Sequence, residues 1–316
     1  MEFRTQVPIK RQQRHLIDYD SNLFLVGSCF SDSIGEKFLD SEFNTTSNPL
    51  GVLFHPLAIE RFITRAINEE LFNKAELFFQ NDLYCSLEAH SQFNSTALHK
   101  VVTELNQSLL KTRTVLKEAT HVFITLGTSW VYRHVATDTI AANCHKIPQK
   151  QFLKELLSVE TVKNSLEAIV GLISDINPET KFIFTLSPVR HLKDGFVENN
   201  RSKSHLMVAV QELVEDLDTC FYFPSYELVM DELRDYRFYN KDMVHPSEQA
   251  INYIWEQFIK TWLTDEAIDI KKEIRAYKKG LEHKPFNPHS SQHQTFLKQQ
   301  EEKRNLLLKK VPHLNL

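Results

Sequence analysis

Four short apolar runs, separated by longer helical patterns, constrain the fold of this chain more than any other feature. They lack strict alternation of polar and apolar residues, so we expect strands that are covered on both faces. The runs span 23–26, 122–126, 182–186 and 220–223, and a weaker strand is expected at 42–47. Between them lie helical patterns at 32–40, 56–70, 98–118, 159–175, 203–217 and 247–263. Strands that alternate with helices in this way predict an α/β fold with a parallel sheet.

The composition excludes several classes of protein. The 316 residues carry a formal net charge of −4, which gives no global field for binding nucleic acid. No run approaches the roughly 18 apolar residues of a membrane span. The first residues lack the apolar core of a secretion signal, and the cysteines form no CxxC pair or regular disulfide framework. We therefore expect a cytoplasmic protein with no nucleic-acid partner and no membrane span. The cysteines are Cys29, Cys85, Cys144 and Cys220.

Changes in composition along the chain predict one large domain with an extension. The domain is expected to span 1–283 and to contain an inserted aromatic-rich segment at about 72–97, with a hairpin beside the site. Two prolines and little apolar material predict a linker at 284–296. The charged tail, 297–316, is expected to be a helical C-terminal extension able to pair with a partner helix. The fourteen histidines form no HExxH or His-x-His pattern, so we expect neither a metal nor a cofactor.

Chemically capable residues follow four of the predicted strands, and a further group precedes the last helix of the domain. In open α/β sheets, ligands bind at the carboxyl ends of the strands, so we expect these residues to meet at one rim. In chain order they are Gly27-Ser28-Cys29, Asn48 to Gly51, Gly127-Thr128-Ser129, Arg190-His191, and Asp242 to His245.

Two of these segments predict nucleophilic catalysis. Such catalysis needs a hydroxyl or thiol, a base within hydrogen-bond reach, and a group that orients the base. Ser28 and Cys29 lie in a tight turn before a helix, where a backbone N–H can stabilise an oxyanion. Asp242 and His245, three residues apart in a loop before a helix, fit the orienting group and the base. The turn alone leaves open which of Ser28 and Cys29 attacks.

Four motifs together resemble the GSCFA-domain family of bacteria. They are GSCFS at 27–31, NPLG at 48–51, LSPVRH at 186–191 and DMVHPS at 242–247, and the similarity runs over about 20–265. That family resembles a branch of the SGNH/GDSL hydrolase superfamily. The resemblance implies a three-layer α/β/α sandwich with a mainly parallel, flavodoxin-like sheet. It also implies acyl-ester hydrolysis or acyl transfer, without settling the substrate.

The resemblance assigns roles to individual residues. Aligned on the superfamily pattern G-D-S-x-S, the first motif places Cys29 at the nucleophile, which favours the thiol over Ser28. His245 becomes the base and Asp242 the orienting group. A Cys29 thiol beside His245 at a helix N-terminus is expected to have a lowered pKa.

The oxyanion hole departs from the superfamily pattern. Gly51 is expected to donate one backbone N–H to the oxyanion. The superfamily's G-x-N motif aligns on Gly127 and Ser129, so a hydroxyl replaces the usual amide donor. The substitutes we expect for that donor are Asn48, Thr128 and Asn143.

The remaining candidates are expected to bind the substrate, and each has a structural alternative. His145 and His191 line the pocket or are loop histidines with internal partners. Arg190 binds a substrate carboxylate or phosphate, or forms an internal salt bridge. His90 contributes only if the inserted hairpin folds over the site. Gly127, Thr128 and Asn143 complete this group.

Three functional hypotheses remain at this stage. The leading one is a metal-independent acyl hydrolase or acyltransferase that acts on a small molecule, an acylated carbohydrate or a glycoconjugate. The alternative is a catalytically silent α/β module that retains the pocket and binds a ligand; the missing amide of G-x-N favours it. The third is a thiol redox sensor that uses Cys29.

Overall fold

The computed structural model describes residues 5–316, and residues 1–4, with which the predicted domain begins, lie outside this range. Five parallel strands form the main sheet: β1 (Asn22–Gly27), β2 (Asn44–Ser47), β5 (His121–Leu126), β9 (Lys181–Leu186) and β10 (Cys220–Tyr222). Their order across the sheet is β10-β9-β5-β1-β2. Renumbered along the chain, these strands have the order 2-1-3-4-5, which is the flavodoxin-like arrangement. The predicted parallel α/β sheet is confirmed.

Helices cover both faces of this sheet. In chain order they are α1 (Cys29–Asp40), α2 (Pro56–Asn68), α3 (Leu98–Glu118), α4 (Val159–Ile176), α5 (Phe196–Asp216), α6 (Ser225–Glu227), α7 (Glu248–Trp262), α8 (Asp265–Leu281) and α9 (Ser291–Lys310). Helices α1 and α5 begin earlier than the sequence predicts. Their added first turns place Cys29 inside α1 and Lys203 well inside α5.

Successive residues of the central strands enter two different cores, as the pleat of a strand requires. Phe24 and Val26 of β1 pack with α2, α3, α4 and α5. Leu23 and Leu25 pack with α1, α7 and α8. Because both sets are apolar, the strand reads as a continuous apolar run, and the sheet forms the middle layer of a three-layer sandwich.

Two smaller antiparallel sheets lie outside the main sheet. The expected hairpin in the inserted segment forms from β3 (Phe78–Gln80) and β4 (Leu83–Cys85), with positive φ angles at both turn residues, Asn81 and Asp82. The other sheet, which the sequence interpretation missed, joins β6 (Trp130–His134), β7 (Thr139–Ala141) and β8 (Phe152–Leu156). Charged residues within β6 and β8, and the three-residue length of β7, hide these strands from a search for apolar runs.

The C-terminal helices pack on the domain. Helix α9 begins at Ser291, inside the predicted linker, because the Ser290 hydroxyl accepts the N–H of His293 and caps the helix. Leu307, Val311 and Leu314 are buried in the core that contains α1, α7 and α8. Within residues 5–316 no helix combines the length and apolar character that a membrane span needs.

Candidate active site

The turn between β1 and α1 depends on Gly27. Its φ of +139° lies where side chains are rarely tolerated, and a Cβ there would overlap the carbonyl oxygen of Thr125 in β5. The next residue, Ser28, caps α1, and Cys29 is the first residue of the helix. This arrangement places Cys29 at a helix N-terminus at the carboxyl end of the central strand.

The same turn distinguishes the two candidate nucleophiles. Ser28 is 1% exposed, and its hydroxyl accepts the N–H of Phe30 at 3.3 Å. Cys29 is partly exposed and forms no disulfide. The fold therefore presents the thiol at the rim and uses the serine to cap the helix.

The electrostatic surroundings of Cys29 keep the thiol protonated at rest. Burial raises its pKa, and the carboxylate of Asp32, one turn along the same helix, raises it further. The N–H groups of Cys29 and Phe30 and the ammonium of Lys203 oppose this rise. The lowered pKa expected from the sequence is wrong, because burial outweighs the helix N-terminus.

Asn48 connects the turn to Asp32. Its backbone is left-handed, with φ of +40°, and its side-chain oxygen accepts the N–H of Gly27 at 2.8 Å. Its amide group donates to Asp32 Oδ1 at 2.7 Å. Burial raises the pKa of Asp32, and hydrogen bonds from Asn48 and Ser47 and the charge of His90 oppose that rise. The N–H of His90 donates to Leu50 O at 3.3 Å, so the inserted segment packs His90 against the turn at 48–51.

Asp242 and His245 form a hydrogen-bonded pair in the loop before α7. Asp242 Oδ2 lies 2.6 Å from His245 Nδ1, and Oδ1 accepts the backbone N–H groups of Val244 and His245. The N–H groups of His245 and Val244, followed by the His245 ring, lower the pKa of Asp242 to about 2. Within residues 5–316, no hydrogen bond joins His245 to Cys29. The aspartate is thus an ionised acceptor that fixes the ring of His245.

His191 lies in the loop after β9, and its ring packs edge-on against Phe54 at 5.5 Å between ring centroids. Burial lowers its pKa to about 4, the charges of Lys203 and His245 lower it further, and the carboxylate of Asp194 opposes this fall. Its Nε2 is buried without a hydrogen-bond partner, and a side chain on Gly127 would come within 3.0 Å of that atom. Gly127 therefore leaves the space that the His191 ring occupies.

Comparison with known proteins identifies the family. Residues 22–258 match the GSCFA family, and residues 269–316 match the C-terminal domain of GSCFA domain proteins. The chain belongs to the GSCFA family. No match to a curated protein was found.

Three solved structures are similar to this GSCFA chain at low identity. One is a Streptococcus pneumonia protein provisionally described as a platelet activating factor, with 12% identity, 78% of this chain and 86% of that chain covered, and a TM-score of 0.38. Another is a Clostridium thermocellum family 3 carbohydrate esterase, with 10% identity, coverage of 80% and 97%, and a TM-score of 0.37. The third is a Talaromyces cellulolyticus carbohydrate esterase of family 3, with 9% identity, coverage of 80% and 99%, and a TM-score of 0.35. These values assign no reaction to the GSCFA chain.

The expected oxyanion donors are engaged in internal hydrogen bonds. The N–H of Gly51 donates to Asn48 O at 2.7 Å. Ser129 is fully buried, and its hydroxyl donates to the backbone oxygen of Ser202 at 3.1 Å. The Thr128 hydroxyl also bonds to Ser202. The backbone N–H of Cys29 belongs to the first turn of α1, where an N–H has no partner within its own helix.

Asn143 and His145 face the inserted segment. The Asn143 side chain accepts the N–H of His145, and His145 Nε2 bonds to Ser86 O at 2.7 Å. The other ring nitrogen of His145 contacts Asn94 at 3.1 Å. Both ring nitrogens of His145 have internal partners and only 6% of the residue is exposed, so in the GSCFA fold it is a structural loop histidine.

The sequence interpretation missed two charged neighbours of Cys29, Asp32 and Lys203. Asp32 is three residues after Cys29 on a helix, so their shared face was readable from spacing. Lys203 is 3% exposed and donates from Nζ to Ser187 O at 2.7 Å. Nothing local in the sequence marks it as part of the GSCFA site. Within the described chain, no cluster of three His, Cys, Asp or Glu side chains is arranged to hold a metal ion.

Proposed function

We propose that this GSCFA protein is an acyl hydrolase or acyltransferase in which Cys29 is the nucleophile, His245 the base and Asp242 the orienting group. The hydrogen bond of 2.6 Å between Asp242 and His245 Nδ1 carries the proposal. It holds the histidine in the tautomer whose Nε2 accepts a proton. The partly exposed thiol at the N-terminus of α1 supports the choice of nucleophile.

In the proposed reaction, the Cys29 sulfur forms a bond to the acyl carbon while His245 Nε2 takes the thiol proton. The carbonyl oxygen becomes an oxyanion held by the N–H of Cys29. The bond to the leaving alcohol then breaks, and His245 returns the proton to that alcohol. Water or an acceptor alcohol attacks the thioester in a second, equivalent cycle. A base is required because the raised pKa of Cys29 leaves the resting thiol protonated.

The proposed substrate class rests on analogy with the SGNH/GDSL superfamily. An acylated carbohydrate or glycoconjugate would bring the acyl group to Cys29, with His90 and Arg190 as candidate substrate-binding side chains. Gly51, Ser129 and Asn48 would join the oxyanion hole only by exchanging an internal hydrogen bond for one to the substrate.

An acyl-trapping experiment tests this function. The protein is mixed with an activated acetyl ester and quenched in acid, and the label is mapped by peptide mass spectrometry. We expect label on Cys29 that neutral hydroxylamine removes and that His245→Ala abolishes. His289→Ala, which changes an exposed histidine of the extension, serves as the matched control. Label on Ser28 would identify its hydroxyl, rather than the Cys29 thiol, as the nucleophile. The absence of any label that depends on His245 would contradict catalysis by this turn.

A silent ligand-binding module is the second candidate. The internal hydrogen bonds of Gly51 and Ser129 and the raised pKa of Cys29 favour it, because a working site needs free donors and an activated thiol. It predicts no acyl label at any residue of the rim. It also predicts that His245→Ala leaves binding of acylated carbohydrates within a factor of about 3.

A further inference from the structure

A cavity of about 420 Å³ lies between the inserted segment and the small sheet of β6, β7 and β8. Its walls come from α2, from residues 72–88 of the inserted segment, from the β6–β7 hairpin and from the loop before β8. This volume is in the range of sites that bind small molecules. The residues that line it do not include Cys29, Asp242 or His245, so the cavity is separate from the candidate active site.

Two arginines and two glutamates of the lining pair with one another. Arg65 is 3% exposed and donates from Nε to Glu88 Oε2 at 2.6 Å, and its Nη2 pairs with Glu76. Arg61 donates from Nε to the same oxygen of Glu88 at 3.3 Å. The four charges cancel, and each lies close to an opposite charge. An ionic ligand would have to break one of these pairs, which is costly where the arginine is buried.

Uncharged polar side chains supply the remaining hydrogen-bonding groups. Gln80 of β3 and Gln151, just before β8, line the cavity, and among residues 5–316 neither side-chain amide has a hydrogen-bond partner. The Ser86 hydroxyl accepts the N–H of Glu88 at 3.2 Å, and its own O–H is left to donate. Amides and hydroxyls both donate and accept, so this lining suits a neutral ligand that is rich in hydroxyl groups.

An apolar surface completes the lining. Phe78, Leu87 and Ile147 belong to one apolar cluster that packs the inserted segment against the small sheet. The Phe78 ring meets the buried His145 ring edge-on at 5.7 Å between centroids, which fixes its position. A sugar ring carries hydroxyls around its edge and apolar C–H groups on its faces. The cavity offers a partner to each of these two surfaces.

We propose that this cavity binds an uncharged sugar unit of an oligosaccharide. The amides of Gln80 and Gln151 hydrogen-bond to its hydroxyls, and Phe78 and Leu87 pack against its C–H face. The paired arginines and glutamates close the side formed by α2 and hold the inserted segment to that helix. This inference goes beyond the proposed function, because it does not depend on a reaction at Cys29.

One short stretch of backbone connects the cavity to the candidate active site. Glu88 lines the cavity, and two residues later the N–H of His90 donates to Leu50 O at 3.3 Å. Leu50 belongs to the turn at 48–51. A bound sugar would therefore also stabilise the segment that packs on this turn.

Binding calorimetry of the full chain with uncharged trisaccharides tests the site. The probes are trisaccharides built of glucose, galactose, mannose or xylose. We expect at least one of them to bind, and Gln151→Ala to weaken its affinity about 3–10-fold by removing hydrogen bonds to a hydroxyl. Gln149→Ala, which changes an exposed glutamine outside the cavity, is the matched control. Binding by none of the probes, or equal affinities in the two variants, would overturn the proposal.

A charged sugar tests the choice of a neutral ligand. Replacing one unit of the best probe with its uronic acid adds a carboxylate and changes little else. Because Arg61 and Arg65 already pair with Glu88, we expect the acid to bind no more tightly than the neutral probe at low salt. Tighter binding of the acid would contradict the assignment of an uncharged ligand.

Amide hydrogen exchange locates the bound probe. We expect protection in 78–88 and 137–151, and loss of that protection in Ile147→Trp, which fills the cavity with a larger side chain. Protection confined to 27–29 and 48–51 would place the sugar at the candidate active site and overturn the separate site. Neither measurement involves the acyl-trapping experiment, so this proposal and the proposed function fail independently.

Discussion

Asp242 Oδ2 lies 2.6 Å from His245 Nδ1, and the other oxygen of the same carboxylate accepts two backbone N–H groups of that loop. The carboxylate therefore holds both the loop and the imidazole of His245. Both side chains are about half exposed, so a bound substrate would have to exclude water from the pair.

Replacing Asp242 with Asn tests whether this hydrogen bond serves catalysis. The amide removes the charge that favours the correct tautomer and the protonated ring, so we expect acyl transfer to Cys29 to slow by about 10²–10⁴-fold. The rate of label formation at Cys29 measures this. Asp269→Asn, which alters an exposed aspartate paired with Lys272, is the control. An unchanged rate in Asp242→Asn would show that the pair serves only the loop.

Replacing Asp32 with Asn should make Cys29 more reactive. The Asp32 carboxylate raises the pKa of the thiol, and its removal increases the thiolate fraction at neutral pH. We expect alkylation by iodoacetamide at pH 7 to speed up by about 2–10-fold. In both proteins the rate should rise with pH, and the midpoint should be lower in the variant. Glu36→Gln, on an exposed position of the same helix, should behave like the wild type, and a slower Asp32→Asn would contradict this electrostatic account.

Two glycine substitutions should affect stability in opposite directions. Gly27→Ala forces a side chain into positive φ against Thr125 O, and we expect it to lower the free energy of unfolding by at least about 3 kcal/mol. Gly171→Ala adds a methyl group to exposed space in α4 and should raise it by about 0.5–1 kcal/mol. Urea denaturation measures both. A Gly27→Ala variant as stable as the wild type would mean that the turn is not constrained as described.

Buried histidines should make stability fall in mild acid. Burial lowers the pKa of His55 from 6.5 to about 4, so the unfolded chain takes up the proton first. The stabilisation is therefore complete above pH 6.5 and declines as the pH falls towards 4, at about 1.4 kcal/mol per pH unit for one proton. His121 and His191 have pKa values of about 4 for the same reason and should add to the slope.

His55→Asn should remove the contribution of close to one proton from the pH dependence of the unfolding free energy. The asparagine should still cap the N-terminus of α2. Unfolding free energies at several values between pH 4 and pH 7 give the slope. His289→Asn, on the exposed extension, should leave it unchanged. An identical slope in His55→Asn and wild type would show that His55 is not buried in its neutral form.

The parallel sheet and the residues that follow its strands were predictable from the amino-acid sequence. Apolar runs covered on both faces are readable locally, because each strand residue must enter one of two cores. The sequence also predicted that Asp242 and His245 act together, because a spacing of three residues in a loop allows both side chains to reach one place. The catalytic roles of these residues stay predictions.

The groups that surround Cys29, and their effect on its pKa, became visible only in the folded protein. Burial encloses Ser28 in the turn and raises the pKa of the Cys29 thiol, and both effects depend on how α1 packs against β5 and α7. The donors of Gly51 and Ser129 are engaged by neighbours that no spacing rule identifies. The charge of Lys203, which lies in α5, also acts on the Cys29 thiol from another element of the fold. Desolvation and charge depend on distances that the fold creates, so a linear pattern does not contain them.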